Sequence, residues 1–113
     1  LKNNGLFSVY GDGKQTRDFV FIKDVVRALI FLVSNDDAIF DVYNVATGHE
    51  TSLNEVLVLL EKITDKKNSV EYKDIRPGDI TRSFSSMNKL ISLGFCLKFE
   101  LEKGLSIYWK SLR

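Results

Sequence analysis

Residues 10–19 of the chain read YGDGKQTRDF, and the prediction of the fold starts from this stretch. The run before it, Leu6–Tyr10, alternates large apolar side chains with smaller ones and is typical of a strand. The Asp-Gly pair then indicates a tight turn, because such turns need residues with positive φ. Residues 19–22 are rich in β formers. The pattern therefore predicts a hairpin between these two strands.

The rest of the sequence alternates helices and short strands, which predicts an α/β fold with about four helices. Helices are predicted near residues 23–34, 53–63, 88–93 and 101–112, and short strands at 42–46 and 70–72. Ser52 and Glu55 have the spacing of a capping box at the start of the second helix. The first helix is apolar nearly all round, and three short helices cannot cover it. With so little strand, the pattern favours a fragment that packs on an absent partner domain.

The composition indicates an ordinary globular protein and excludes several functional classes. Its 113 residues are 44% hydrophobic and 27% charged, with a formal net charge of +1, which gives no support to a nucleic-acid or polybasic membrane binder. The single cysteine, Cys96, excludes an internal disulfide, and no apolar run is long enough to cross a bilayer. Because the chain starts at Leu1 and its only methionine is Met87, we expect part of a longer cytoplasmic protein.

Two arginine-containing turns are candidates for binding a phosphorylated ligand. Arg17 follows a glycine-flanked turn, and a guanidinium can donate two parallel hydrogen bonds to phosphate oxygens. The alternative is a plain hairpin in which Arg17 pairs with a surface carboxylate. The second turn presents Arg76 and Asp79, a cation suited to phosphate and a carboxylate suited to ribose hydroxyls. Its alternative is a local salt bridge across the turn.

Other motifs do not predict a catalytic or metal site. Tyr10 and Lys14 have Tyr-x-x-x-Lys spacing, but the glycines between them exclude the helix that this proton-transfer pair requires. Thr16 stands where a dinucleotide-binding turn needs its third glycine. His49 has no second histidine with which to share a metal, and Cys96 lies in an apolar stretch that predicts a core position.

Seven short motifs follow one another along the chain. They are Tyr10–Gly13, Gln15–Phe19, Asp24–Ala28, Tyr43–Gly48, Arg76–Asp79, Lys89 with Leu93–Phe95, and Leu101–Leu105. In this order and spacing they resemble the second half of the NAD-dependent epimerase/dehydratase family, the extended short-chain dehydrogenases/reductases that act on nucleotide sugars. Within the family, the chain is most similar to UDP-glucose and UDP-N-acetylglucosamine 4-epimerases.

The resemblance implies a role in substrate binding for six residues. The strand at Ser8, Val9 and Tyr10 would lie along the nucleotide base and offer backbone hydrogen bonds. Arg17 and Arg76 match arginines that contact the diphosphate, and Asp79 matches a carboxylate near the ribose. Asp18 and Asp24 are expected to cap turns or helices rather than bind a ligand.

Two departures from the family pattern concern packing. Ser85-Ser86 stands where relatives often have an aspartate, and Leu97 stands where they often have a proline. A third departure is larger, since the chain has neither the glycine-rich dinucleotide turn nor a helical Tyr-x-x-x-Lys. The resemblance therefore implies that the Rossmann domain is absent, and that no catalytic, cofactor-binding or metal-binding residue lies in this chain.

Together these features predict that residues 1–113 are the C-terminal, nucleotide-sugar-binding region of an NAD-dependent 4-epimerase, inactive without the rest of the enzyme. A 4,6-dehydratase or a decarboxylase of the same family is the nearest alternative, and a non-catalytic interaction or nucleotide-binding module is the alternative from another class. The expected partners are a UDP-sugar or other NDP-sugar and the protein's own N-terminal Rossmann domain, with NAD bound there. The intact enzyme is expected to be a homodimer.

Overall fold

The computed structural model describes residues 6–112 and contains four helices and four short strands within them. In chain order the elements are β1 (Leu6–Tyr10), β2 (Thr16–Arg17), α1 (Ile22–Val33), β3 (Thr51–Ser52), α2 (Leu53–Thr64), β4 (Ser69–Lys73), α3 (Asn88–Ser92) and α4 (Leu101–Ser111). The predicted α/β class and the four helices are confirmed. No described helix is long and apolar enough to cross a membrane.

The strand pairing differs from the predicted hairpin. β1 pairs in parallel with β4, with Leu6 opposite Ser69 and Tyr10 opposite Lys73, while β2 pairs antiparallel with β3. Residues 19–21 form no strand. The turn itself is real, since Gly11 and Gly13 have φ of 87° and 75°. The hairpin prediction is wrong because the partner of β1 is distant in sequence, across the long connection that parallel strands require.

The helix boundaries follow the sequence signals closely. At α2 the predicted capping box is present, because Ser52 Oγ accepts from Glu55 N at 3.2 Å and Glu55 Oε2 accepts from Ser52 N at 2.7 Å. In α4, Gly104 allows a close approach of Phe21, whose Cδ2 would lie 3.1 Å from an added Cβ. That contact accounts for a glycine inside a helix.

The predicted strand at residues 42–46 is wrong within the described chain. The segment has no regular secondary structure, and Val42 O accepts instead from Lys89 Nζ at 2.9 Å. β propensity alone does not form a strand without a neighbouring strand to pair with.

The core lies between α1, α3 and the segment that follows α3. Its buried side chains are Ala28, Met87, Leu90 and Phe95. Cys96 is exposed next to this cluster, so the core position predicted for it is wrong. The other face of α1 carries exposed apolar side chains, among them Leu29 at 58% and Val33 at 90% exposure. This confirms that the short helices of the chain do not cover α1.

A fully buried carboxylate, Asp24, fastens α1 to the segment before α4. Its oxygens accept from Lys98 N at 3.1 Å and from Phe99 N at 3.0 Å, and it also pairs with Arg27. Buried charges are tolerated when they are paired and fully hydrogen-bonded, as this one is. Asp24 therefore has a structural role, in line with the expectation that it does not bind a ligand.

Candidate functional site

The candidate site is built on an exposed polar loop, residues 74–83, which we call the β4 loop. It leaves the fold where Gly11 N donates to Lys73 O at 2.8 Å. It rejoins the fold beside β2, where Thr16 N donates to Thr81 O at 2.9 Å and Ser83 N donates to Thr16 O at 3.2 Å. Every residue of the loop is exposed. Backbone and side-chain hydrogen bonds, rather than burial, therefore hold it in place.

Arg76, in the β4 loop, stacks on Tyr10 at the end of β1. The guanidinium carbon lies 3.5 Å from the centre of the Tyr10 ring, within the range of a cation–π contact. A hydrogen bond from Arg76 and its positive charge lower the pKa of the Tyr10 phenol. Among the described residues, Arg76 has no carboxylate within 4.0 Å, so the salt bridge to Asp79 weighed as an alternative does not form.

Arg17 is held by backbone oxygens instead of by an acid. Its Nη1 donates to Thr16 O and to Ile80 O, each at 2.7 Å, so the side chain reaches from β2 to the β4 loop. No carboxylate within the part of the chain that the structure describes forms an ion pair with it. The alternative of a surface ion pair for Arg17 is therefore wrong. Its charge is fixed in position and is not neutralised by any carboxylate of residues 6–112.

Arg82, the other arginine near this loop, has the opposite environment. Its Nε and Nη2 donate to Glu50 Oε1 and Oε2 at 2.8 and 2.6 Å, and Glu50 Oε1 also accepts from Thr16 Oγ1 at 2.7 Å. The hydrogen bonds from Arg82 and Thr16 lower the pKa of Glu50 from 4.5 to about 2. Sequence reasoning missed this pair, because its members are 32 positions apart and share no local motif.

The other predicted site residues take different positions. Val9 is buried, and Ser8 Oγ donates to Glu71 Oε2 at 3.5 Å. β1 pairs on one edge only, with β4, within residues 6–112, so its second edge still has backbone groups to offer. Asp79 is exposed and is tied to the loop through its own N–H, which donates to Arg76 O at 3.2 Å.

Asp18 uses both carboxylate oxygens in hydrogen bonds within the chain. Its Oδ1 accepts from Thr47 N at 2.9 Å and from Thr47 Oγ1 at 2.6 Å, and its Oδ2 accepts from Gly48 N at 2.9 Å. Burial raises the pKa of this carboxyl, but the hydrogen bonds from Thr47 and Gly48 outweigh it and the net pKa is lowered. The prediction that Asp18 caps a turn is confirmed.

Two features of the described residues bear on metal and dinucleotide binding, their His, Cys, Asp and Glu side chains and the glycine-flanked turn Gly11–Gly13. Residues 6–112 hold no cluster of three or more His, Cys, Asp or Glu side chains that could ligate a metal. The turn Gly11–Gly13 leads into the two-residue strand β2 rather than into a helix. A pyrophosphate-binding turn needs a helix N-terminus at that point, so the Gly11–Gly13 turn is not such a turn.

Comparisons with known proteins identify similar sequences. Residues 1–46 match the model of the NAD dependent epimerase/dehydratase family. A putative UDP-glucose 4-epimerase from Methanocaldococcus jannaschii is 31% identical over 105 residues, covering 93% of this chain and 33% of that protein.

Solved structures give the same result. The chain superimposes on MoeE5, solved with UDP-glucuronic acid and NAD, with a TM-score of 0.84, 34% identity and coverage of 95% of this chain and 37% of MoeE5. For UDP-glucose 4-epimerase from Thermotoga maritima, solved with UDP-glucose, the TM-score is 0.79 and the identity 35%, with coverage of 94% and 35%.

The chain thus spans about one third of the length of the relatives it matches. Between 93% and 95% of the chain is aligned in these comparisons. Over nearly its whole length the chain is therefore similar, in sequence and in fold, to one part of UDP-glucose 4-epimerases and related proteins, and its first 46 residues match the NAD dependent epimerase/dehydratase family.

Proposed function

We propose that this chain binds the nucleoside diphosphate of an NDP-sugar within an NAD-dependent nucleotide-sugar 4-epimerase of the UDP-glucose or UDP-N-acetylglucosamine type. One observation carries the proposal. Among the described residues, Arg27 and Arg82 are neutralised by carboxylates, whereas Arg17 and Arg76 are not. Of the two without an acidic partner, Arg17 reaches from β2 to the β4 loop, and Arg76, in that loop, stacks on Tyr10.

A diphosphate is the ligand that such a pair suits best. It carries two negative charges on a short linker, and guanidinium groups hydrogen-bond to its oxygens in a fixed planar geometry. Two carbonyl oxygens already orient the Arg17 side chain, so this side chain loses little further conformational entropy when the ligand binds. The open edge of β1 is available for backbone hydrogen bonds to the base, and Asp79 for the ribose hydroxyls.

In this proposal the chain binds and orients its ligand, and another part of the protein carries out the reaction. NAD supplies hydride transfer when bound outside these residues. Holding the nucleotide at Arg17 and Arg76 fixes the attached sugar relative to that cofactor, which lowers the entropic cost of reaching the transition state. The UDP-sugars with which MoeE5 and the Thermotoga maritima epimerase were solved support this class of ligand.

The proposal is tested by titrating UDP into the full-length protein by calorimetry. Arg17→Ala removes one charge-assisted phosphate contact and is expected to cost roughly 1.5–3 kcal/mol of binding, and Arg76→Ala a comparable amount. Arg17→Lys keeps the positive charge but loses the planar guanidinium that donates two parallel hydrogen bonds, so an intermediate loss of UDP affinity is expected.

Lys67→Ala is the matched control, because it removes a positive charge from an exposed residue before β4, at the end of that strand away from the β4 loop. Its UDP affinity is expected to equal that of the wild type. An Arg17→Ala protein that binds UDP as tightly as the Lys67→Ala protein would refute the assignment.

A further inference from the structure

The β4 loop is fastened on its return side by one acidic side chain, Glu50. Because every residue of the loop is exposed, little apolar contact is available to replace a lost hydrogen bond there. Its first end continues directly from β4. Its second end depends on the contacts of residues 80–83 with β2 and with Glu50.

Glu50 is well placed to hold that second end. It lies just before β3, which pairs with β2, so its own position does not depend on the β4 loop. Its carboxylate accepts one hydrogen bond from Thr16, in β2, and two from Arg82, in the β4 loop. The Glu50 side chain is only 23% exposed, whereas that of Arg82 is 67% exposed.

The residues that Glu50 contacts are close in sequence to Arg17, which is proposed to bind the ligand, and to Ile80, which orients Arg17. Thr16 precedes Arg17, and Ile80, whose carbonyl oxygen orients the Arg17 guanidinium, lies two residues before Arg82. Releasing Arg82 from Glu50 removes the side-chain anchor next to that carbonyl. The loop then samples more conformations, and Arg76, on the same loop, loses its fixed place over Tyr10.

We infer that Glu50 is a positioning residue for nucleotide binding, acting through Arg82 and Thr16 on the arginines that face the diphosphate. The inference rests on the proposed function. Glu50 itself does not contact the ligand in this account. It orders the loop before the ligand arrives, so that less binding free energy is spent on ordering.

The test compares two ion pairs of the same chain. Glu50→Gln keeps the size of the side chain and removes its charge. Glu102→Gln is the matched control, because Glu102 forms an exposed ion pair of 2.7 Å with Lys62 between α4 and α2, away from the β4 loop. UDP is titrated calorimetrically into the full-length wild type and both variants, and amide hydrogen exchange is followed over residues 74–83.

We expect Glu50→Gln to weaken UDP binding roughly tenfold and to speed exchange in the β4 loop, with Glu102→Gln unchanged in both. Arg82→Gln, a change at an exposed side chain, is expected to reproduce the effect. The double variant is expected to be no weaker than either single variant, because the two residues act as a unit.

The inference is overturned if Glu50→Gln and Arg82→Gln both bind UDP like the wild type, or if Glu102→Gln weakens binding as much as they do. A wild-type protein that does not bind UDP would instead overturn the proposed function. The two failures are therefore distinguishable in one set of titrations.

Discussion

Asp24 and Glu50 each join segments that are far apart in sequence, but they do so in different surroundings. Asp24 is fully buried and accepts backbone hydrogen bonds from Lys98 and Phe99. The Glu50 side chain is partly buried, at 23% exposure, and it binds Arg82, which is 67% exposed. The buried carboxylate fastens the helical core, where unmet hydrogen bonds are costly, whereas the partly buried carboxylate orders a loop with little apolar contact of its own. We therefore expect changes near Asp24 to affect stability and changes near Glu50 to affect ligand binding.

The largest effect is expected from truncating an apolar side chain in the two regions. Leu90 is fully buried in the core cluster, so Leu90→Ala is expected to cost roughly 2–5 kcal/mol of the free energy of unfolding. Ile80, in the β4 loop, is 60% exposed, so Ile80→Ala is expected to change stability by no more than about 0.5 kcal/mol. Urea unfolding measures both, and equal losses would break the distinction between the two regions.

A smaller loss of stability is expected from the buried carboxylate. Asp24→Asn keeps the shape of the side chain but removes the charge that Arg27 and two backbone N–H groups require. The expected cost is about 3 kcal/mol of the free energy of unfolding. Asp36→Asn, at an exposed position after α1, serves as the control and is expected to leave the urea midpoint unchanged. UDP affinity measured where both variants are folded is expected to stay at the wild-type value.

The smallest effect concerns the pH dependence of the ion pair between Glu50 and Arg82. Since the pKa of Glu50 is lowered from 4.5 to about 2, its contribution to stability is fully present above pH 4.5 and is lost as the pH falls towards 2. The difference in stability between wild type and Glu50→Gln is therefore expected to be constant from neutral pH down to about pH 5 and to shrink below pH 4.5. A difference that persists unchanged at pH 3 would contradict the ion pair.

Local signals in the sequence predicted the helices but not the strand pairing. The capping box of Ser52 and Glu55 and the helical spacing of apolar residues are encoded within a few positions, and the structure follows them. The partner of β1 is β4, more than sixty positions away, and turn residues cannot report such a distant pairing. Cys96 shows a similar limit, because an apolar stretch does not reveal which of its side chains faces the core.

The site was predictable where a residue type carries its own chemistry. Arg17 and Arg76 were identified as cations next to turns, and the structure shows both without acidic partners among the described residues. Whether an arginine is already neutralised depends on acids elsewhere in the chain. The pairing of Arg82 with Glu50 is of this kind, so it became visible only once the fold brought β3 next to the β4 loop.

The central claim is that Arg17 contacts the phosphates of the ligand. Comparing UDP with uridine, which has no phosphates, tests this directly. The full-length wild type and Arg17→Ala are titrated with each compound at the same pH and salt concentration. We predict that Arg17→Ala loses roughly 10- to 100-fold in UDP affinity and retains its uridine affinity. Equal preference for UDP over uridine in the two proteins would contradict the account, because the guanidinium would then not be contacting the diphosphate.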